Sequence, residues 1–108
     1  MAARYLRILH GWLASRNAVF VNARSFAAYQ IGMCRDRSGR DFLLAAMEDP
    51  SENESVRRYA ALALGMMRTR DAIATLIEIH DRDETPAALR SAVGHAILAA
   101  GGLLPPSV

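Results

Sequence analysis

Apolar residues along this 108-residue chain recur at three- and four-residue intervals, and no stretch sustains strict alternation of apolar and polar positions. Helices are therefore predicted throughout. From about Ala2 to Ala14, Tyr5, Leu6, Ile8, Leu9, Trp12 and Leu13 spread over a broad arc, while Arg4, Arg7, His10 and Gly11 take the remaining side. A second helix, with Asn17 as its candidate cap, runs to about Cys34. Ser38 with Asp41 has the spacing of a capping box and would open a third helix from Gly39 to about Glu48. Asp49-Pro50 breaks the chain, and Ser51 with Glu54 supplies the box again for a helix reaching Met67. Asp71 is the candidate cap of a fifth helix through about Ile79. Thr85-Pro86 reads as an N-cap with proline at the first helical position of the sixth, which ends at Gly101-Gly102 before Pro105-Pro106.

The second helix of each pair repeats at a spacing of 33 residues. Ala23-Arg24-Ser25-Phe26-Ala27-Ala28-Tyr29-Gln30-Ile31-Gly32-Met33 aligns with the lines that begin at Val56-Arg57 and Leu89-Arg90, with small residues in the middle columns of all three. The first helices keep the same spacing, Leu43 with Leu76 and Leu44 with Ile77. A fixed period of this size is the signature of stacked units that bury their apolar faces against their neighbours. The expected fold is all-α, an α-α superhelix of about three antiparallel helix pairs. It would form one domain over residues 1–102, with units at about 1–34, 38–67 and 70–101 and a tail at 103–108.

Composition agrees with helix packing. Hydrophobic residues make up 52% and aromatics only 6%, so the core must be built from Ala, Leu, Ile, Val and Met. No apolar run approaches the roughly 18–20 residues of a membrane-spanning helix, no secretory leader pattern is visible, and a soluble, cytoplasmic protein is expected. Cys34, the single cysteine, excludes an internal disulfide and a multi-cysteine zinc site, and reads as a small core hydrophobe. All 13 basic residues are arginine. Residues 1–35 hold five of them and no acid, whereas the rest of the chain holds eight against eleven acids. That asymmetry fits an anionic partner, or one end of a stack that meets an acidic neighbour.

An aliphatic-Arg pair, two small residues and Ala-Leu-Gly, matched by Val56-Arg57, Ala60-Ala61 and Ala63-Leu64-Gly65, resemble HEAT repeats of the short bacterial kind also found in phycobilin lyases. Gln30-Ile31-Gly32 and Ala96-Ile97-Leu98 each lose one element of that pattern, and the resemblance spans about residues 20–101. Ankyrin units also repeat near 33 residues and open with Thr-Pro, but the Leu-His that should follow Thr85-Pro86 is absent. The resemblance implies that the arginine opening each second helix pairs with a connector acid, Arg57 and Arg90 with acids such as Asp49 or Asp83. Arg24 has no acid between Ser15 and Asn22 to serve it.

The resemblance also implies that second helices line the inner curve. The column of Tyr29, Leu62 and His95, a solvated Glu or Lys in such repeats, lies off the packing stripe of Val56, Tyr59, Ala60, Ala63 and Leu64. Four residues to either side lie Ser25 and Met33, Arg58 and Met66, and Ser91 and Ala99. A concave strip of Ser25, Tyr29, Met33, Arg58, Leu62, Met66, Ser91 and His95 is the expected partner-binding surface, since such side chains bury much area per residue ordered. Its occupant would be a protein or peptide, unless the first helix, the tail or a second copy covers it.

No catalytic, cofactor or metal site is expected. His-Glu pairs of the kind that bind metal on HEAT scaffolds are missing, as are phosphate loops and nucleophile elbows. His10 reads as a helix-packing residue, and His80-Asp81-Arg82-Asp83-Glu84 as solvated charge at a helix end. The expected function is a non-catalytic scaffold that binds a protein or peptide or itself, with Tyr5, Ile8, Leu9 and Trp12 at one end and Leu103-Leu104 at the other as self-association surfaces. Nucleic-acid binding, through Arg4, Arg7, Arg16 and Arg24, and a chromophore chaperone resembling the phycobilin lyases are the alternatives. No membrane partner is expected.

Overall fold

The computed structural model describes residues 2–14, 21–82 and 84–101. Six α-helices run in three antiparallel pairs: α1 (Ala2–Ala14) with α2 (Val21–Met33), α3 (Arg40–Glu48) with α4 (Glu54–Met67), and α5 (Arg70–Asp81) with α6 (Ala87–Ala99). A short 3-10 turn, Arg37–Gly39, leads into α3. The helices form where the periodicity places them, but their starts are set by neighbours of the expected caps. Asp36, not Ser38, caps the 3-10 turn, accepting from the backbone N–H of Ser38. Asn53, not Ser51, caps α4 by accepting from the N–H groups of Ser55 and Val56, while Ser51 donates to Asp49. Thr69, not Asp71, caps α5 through the N–H of Ala72. Pro86 is itself the N-cap position of α6, and Thr85 Oγ1 donates to the Ile79 carbonyl, closing the end of α5. Asn17 lies outside the described residues.

The second helices stack tightly, α4 between α2 and α6, and each packs on the first helix of its own pair. First helices meet their neighbours far less, which splays them onto the outer side and leaves the second helices on the inner one. The arrangement is an α-α superhelix, with extents of 45 × 26 × 16 Å. Its core is Leu9, Leu13, Ile31, Leu43, Met47, Val56, Leu64, Leu76, Leu89, Val93 and Ile97, together with the alanines of the middle columns. Leu9 and Leu13 fill in α1 the places of Leu43 and Met47 in α3, so the first helix runs one residue out of the 33-residue register and His10 leaves the apolar column.

Glycine sets the spacing of the inner layer. A Cβ on Gly32 would lie 2.5 Å from Ala63 Cα, and one on Gly65 would lie 2.7 Å from the Ala96 carbonyl oxygen. Helix backbones approach this closely only where no side chain intervenes. The same column in the last unit holds Leu98, which is 54% exposed on the open side of α6.

The period also reaches the helix ends. Arg35 (φ 50°), Arg68 (φ 53°) and Gly101 (φ 83°) occupy the left-handed cap that follows α2, α4 and α6 at 33-residue intervals. Arg35 N–H donates to the Gly32 carbonyl and Arg68 N–H to that of Gly65, and the Asp36 N–H returns to Ile31 in a Schellman closure. Left-handed backbone costs a residue with a Cβ about 1–2 kcal/mol. A cation at an exposed helix C-terminus regains only about 0.3–1 kcal/mol.

Candidate interaction surface

The repeated arginines turn inward along one row, and what they meet is the end of the preceding helix. Arg24 donates from Nε to the Trp12 carbonyl (3.2 Å) and from Nη2 to that of Leu13 (2.9 Å). Arg57 Nε donates to the Met47 carbonyl (2.9 Å) and Arg90 Nη2 to that of Arg82 (2.6 Å). Each arginine therefore satisfies orphan carbonyls at the C-terminal end of the first helix in its own pair. Arg57 is held by the Met47 carbonyl and Asp49 accepts from Ser51, and Asp83 lies outside the described residues. Arg24, for which its own connector offers no acid, takes one from the next unit: Glu52, buried and bonded to both Nη atoms. All three arginines are thus occupied in holding the fold.

The inner face is carried by α2, α4 and α6. Phe26 (48% exposed), Tyr29 (37%) and Met33 (55%) form one stripe of α2, and Tyr59 (39%) stands beside them on α4. Tyr29 and Tyr59 meet edge to face, with ring centroids 6.2 Å apart. Together with Phe26, Asn22, Ser25 and Ser55 they enclose an open hollow of about 520 Å³. Ser25 is buried at its floor and shares a hydrogen bond with Ser55. Tyr59 is correspondingly not in the core: it occupies the edge of α4 that faces α2, where the small Gly32 and Ala63 leave no depth for a ring. Beside Tyr59 on α4, Arg58 is exposed, whereas farther along Leu62 and Met66 are half-buried against the core. Ser91 and His95 are exposed on α6.

A second, smaller hollow of about 210 Å³ lies at the C-terminal ends of the same helices, between Gly32, Met33, Met66 and Ala99, with Arg35 and Arg68 beside it. Expected residues thus divide among three hollows: Ser25 and Tyr29 line the aromatic one, Met33 and Met66 the one beside the arginines, and Ser91 and His95 a third with His80 and Leu98. Phe26, Tyr59, Arg35 and Arg68 line the first two and were not expected there. The signal for Phe26 and Tyr59 was their shared column, and for the arginines their 33-residue spacing.

A family model for HEAT repeats matches residues 11–97. The chain belongs to the HEAT-repeat family. Neither a curated protein nor a solved structure matches it. The match to the HEAT model takes in the end of α1, all of α2 to α5 and most of α6.

The remaining candidate groups of the HEAT domain are structural. His10 Nε2–H donates to Asp36 Oδ2 (2.5 Å), and its ring stacks on Phe42 at 4.6 Å, tying α1 to the turn before α3. Burial pushes the Asp36 carboxyl upward, but hydrogen bonds from the Ser38 hydroxyl and His10, with the charge of His10, more than offset it and hold the group below its ordinary value. Cys34 is exposed, because the helix ends one residue before it and the chain turns outward. His80 lies 3.4 Å from Asp81, and Arg82 pairs with Glu78, all at the surface. Among the described residues no three His, Cys, Asp or Glu side chains gather as metal ligands, and no helix is long and apolar enough to cross a membrane.

Proposed function

We propose that this HEAT domain is a non-catalytic interaction module that binds a protein segment along the inner face of α2, α4 and α6. One observation carries the reading: three aromatic side chains, Phe26, Tyr29 and Tyr59, stand exposed on adjoining helices of that face around one hollow, and Met33, exposed on the same helix as Phe26 and Tyr29, lines the next. Rigid aromatic and methionine anchors in a concave setting are what peptide grooves use, because they bury much area at little ordering cost. Ser25, Tyr29, Met33, Arg58, Leu62, Met66, Ser91 and His95 line the proposed path, joined by Phe26 and Tyr59. Affinity capture with the wild type beside a Tyr29→Ala/Met33→Ser variant tests this. Partners held by the wild type and lost by an equally folded variant support the groove; identical capture by both proteins overturns it.

Self-association is a second reading, favoured by α1. Tyr5, Ile8 and Trp12 are 42–48% exposed on one face, although Leu9 of the expected patch is in the core. Such a face at the end of a stack is normally polar. A light-scattering mass of one chain at high concentration removes this reading. A nucleic-acid role requires a continuous cationic trough, whereas Arg4 and Arg7 lie on α1 and Arg58 on α4, and Arg24 is buried. The resemblance to phycobilin lyases adds only the repeat pattern.

A further inference from the structure

We propose that the Arg35/Arg68 end of the inner face is a carboxylate site, and that the groove therefore selects acidic amphipathic segments: apolar anchors at one end, an Asp or Glu at the other. The proposal rests on the groove reading and adds the chemistry of the partner. Three observations converge on it. Arg35 and Arg68 both line the hollow floored by Gly32, Met33, Met66 and Ala99. Both are exposed, and among the described residues neither makes an ion pair with an acid of this chain.

The third observation is the backbone. Two successive units keep arginine in a left-handed conformation that the last unit fills with Gly101, the residue such caps favour. The cost of that conformation exceeds what a cation gains at a helix end, so the fold alone would be better served by glycine. Unfavourable backbone retained twice beside one hollow points to a use for the side chains. Two guanidinium groups beside an apolar floor match a carboxylate carried on an apolar helix or strand.

The stripe sets the spacing. From Tyr29 to Met33 the helix advances about 6 Å at 1.5 Å per residue, and Arg35 lies just past its end. A helical partner would thus carry its acid between one and two turns from the anchor that enters the Phe26–Tyr29–Tyr59 hollow.

The test is selection of displayed random peptides on the immobilised protein, followed by affinity measurements of a selected peptide on wild type and on an Arg35→Gly/Arg68→Gly variant. Selected peptides should pair apolar anchors with Asp or Glu and weaken with salt. Binding should fall at least tenfold in the variant, while its thermal stability stays level or rises because glycine relieves the backbone. A purely structural role for the arginines predicts the reverse, lower stability with binding kept, and overturns the proposal. Selected peptides without acids overturn it and leave the groove standing, whereas failure to select any peptide removes both. Binding of a duplex DNA oligonucleotide that depends on the same arginines but not on Met33 also overturns it, in favour of a phosphate ligand.

Discussion

Arg24 of α2 and Glu52 of the α3–α4 connector form a buried ion pair that joins two repeats, with side chains only 2% and 3% exposed. Arg24 simultaneously closes the end of α1 through the Trp12 and Leu13 carbonyls, and Glu52 Oε1 accepts from the N–H of Asn53, the cap of α4. One contact therefore fixes the end of one helix and the start of another. Removing one member of such a pair leaves an uncompensated charge. Glu52→Ala should cost about 3–5 kcal/mol, read as a lowered urea midpoint. In Arg24→Met/Glu52→Leu the buried charge is gone but the α1 carbonyls stay uncapped, so stability should recover only in part. Equal losses in the single and double variants would show that the pair is not what holds the units together.

That contact also marks where the sequence stops being legible. The 33-residue period made the helix pairs and the row of arginines readable, because stacked units repeat the same local demands. It could not show Glu52, since the acid serving Arg24 comes from the following unit, 28 residues on in the chain. The caps differ for a related reason: the side-chain oxygens of Asp49, Ser51 and Asn53 are all competent acceptors for the N–H groups of a helix start, and only the path of the turn chooses Asn53. Tyr59 looked like core because its helical angle borders the packing stripe. Close approach at Gly32 and Ala63 turns that edge into surface.

The glycines of the inner layer give an expectation opposite to helix propensity. Gly65→Ala places a methyl 2.9 Å from Ala96 Cβ and nearer still to the Ala96 carbonyl oxygen, so the helices must part. Overpacking of this kind costs about 1–3 kcal/mol. Gly11 in α1 has nothing within 4 Å of its missing Cβ, and there alanine should stabilise by about 0.5–1 kcal/mol. Thermal melts of the two variants should therefore move in opposite directions.

Asp36 carries an acid dependence whose sign follows from its lowered pKa. A carboxyl held below its ordinary value of 3.8 binds fewer protons folded than unfolded, so its stabilisation is complete above that pH. It is lost as the pH falls through the folded value. Asp36→Asn should cost about 1 kcal/mol at neutral pH and should flatten the stability profile on its acid side. Denaturation midpoints at several pH values below neutrality give the comparison, and parallel profiles for the two proteins would exclude Asp36 as the source.

Cys34 is solvent-exposed at the end of α2. It should therefore react fully with a thiol reagent in the native protein, at a rate close to that in denaturant. Protection by more than about a hundredfold, the signature of a thiol reached only through local opening, would return Cys34 to the core.

The sharpest separation lies between two positions 35 residues apart in the chain, Tyr29 and Leu64. Leu64 is fully buried between the helix layers, and Leu64→Asp places a carboxylate with no partner in that interface. Several kcal/mol of desolvation should leave the chain unfolded, seen as loss of helical circular dichroism. Ala60→Asp should do the same, since Ala60 is equally buried. Tyr29 is 37% exposed and gives up mainly its edge contact with Tyr59, so Tyr29→Ala should cost about 1 kcal/mol and keep the helix signal. Leu62, half-buried and packed on the core, falls between them: Leu62→Asp should lower stability and weaken binding together. A Tyr29→Ala variant that melts as early as Leu64→Asp would make the ring part of the fold, and the inner face would lose the anchor on which its reading as a groove depends.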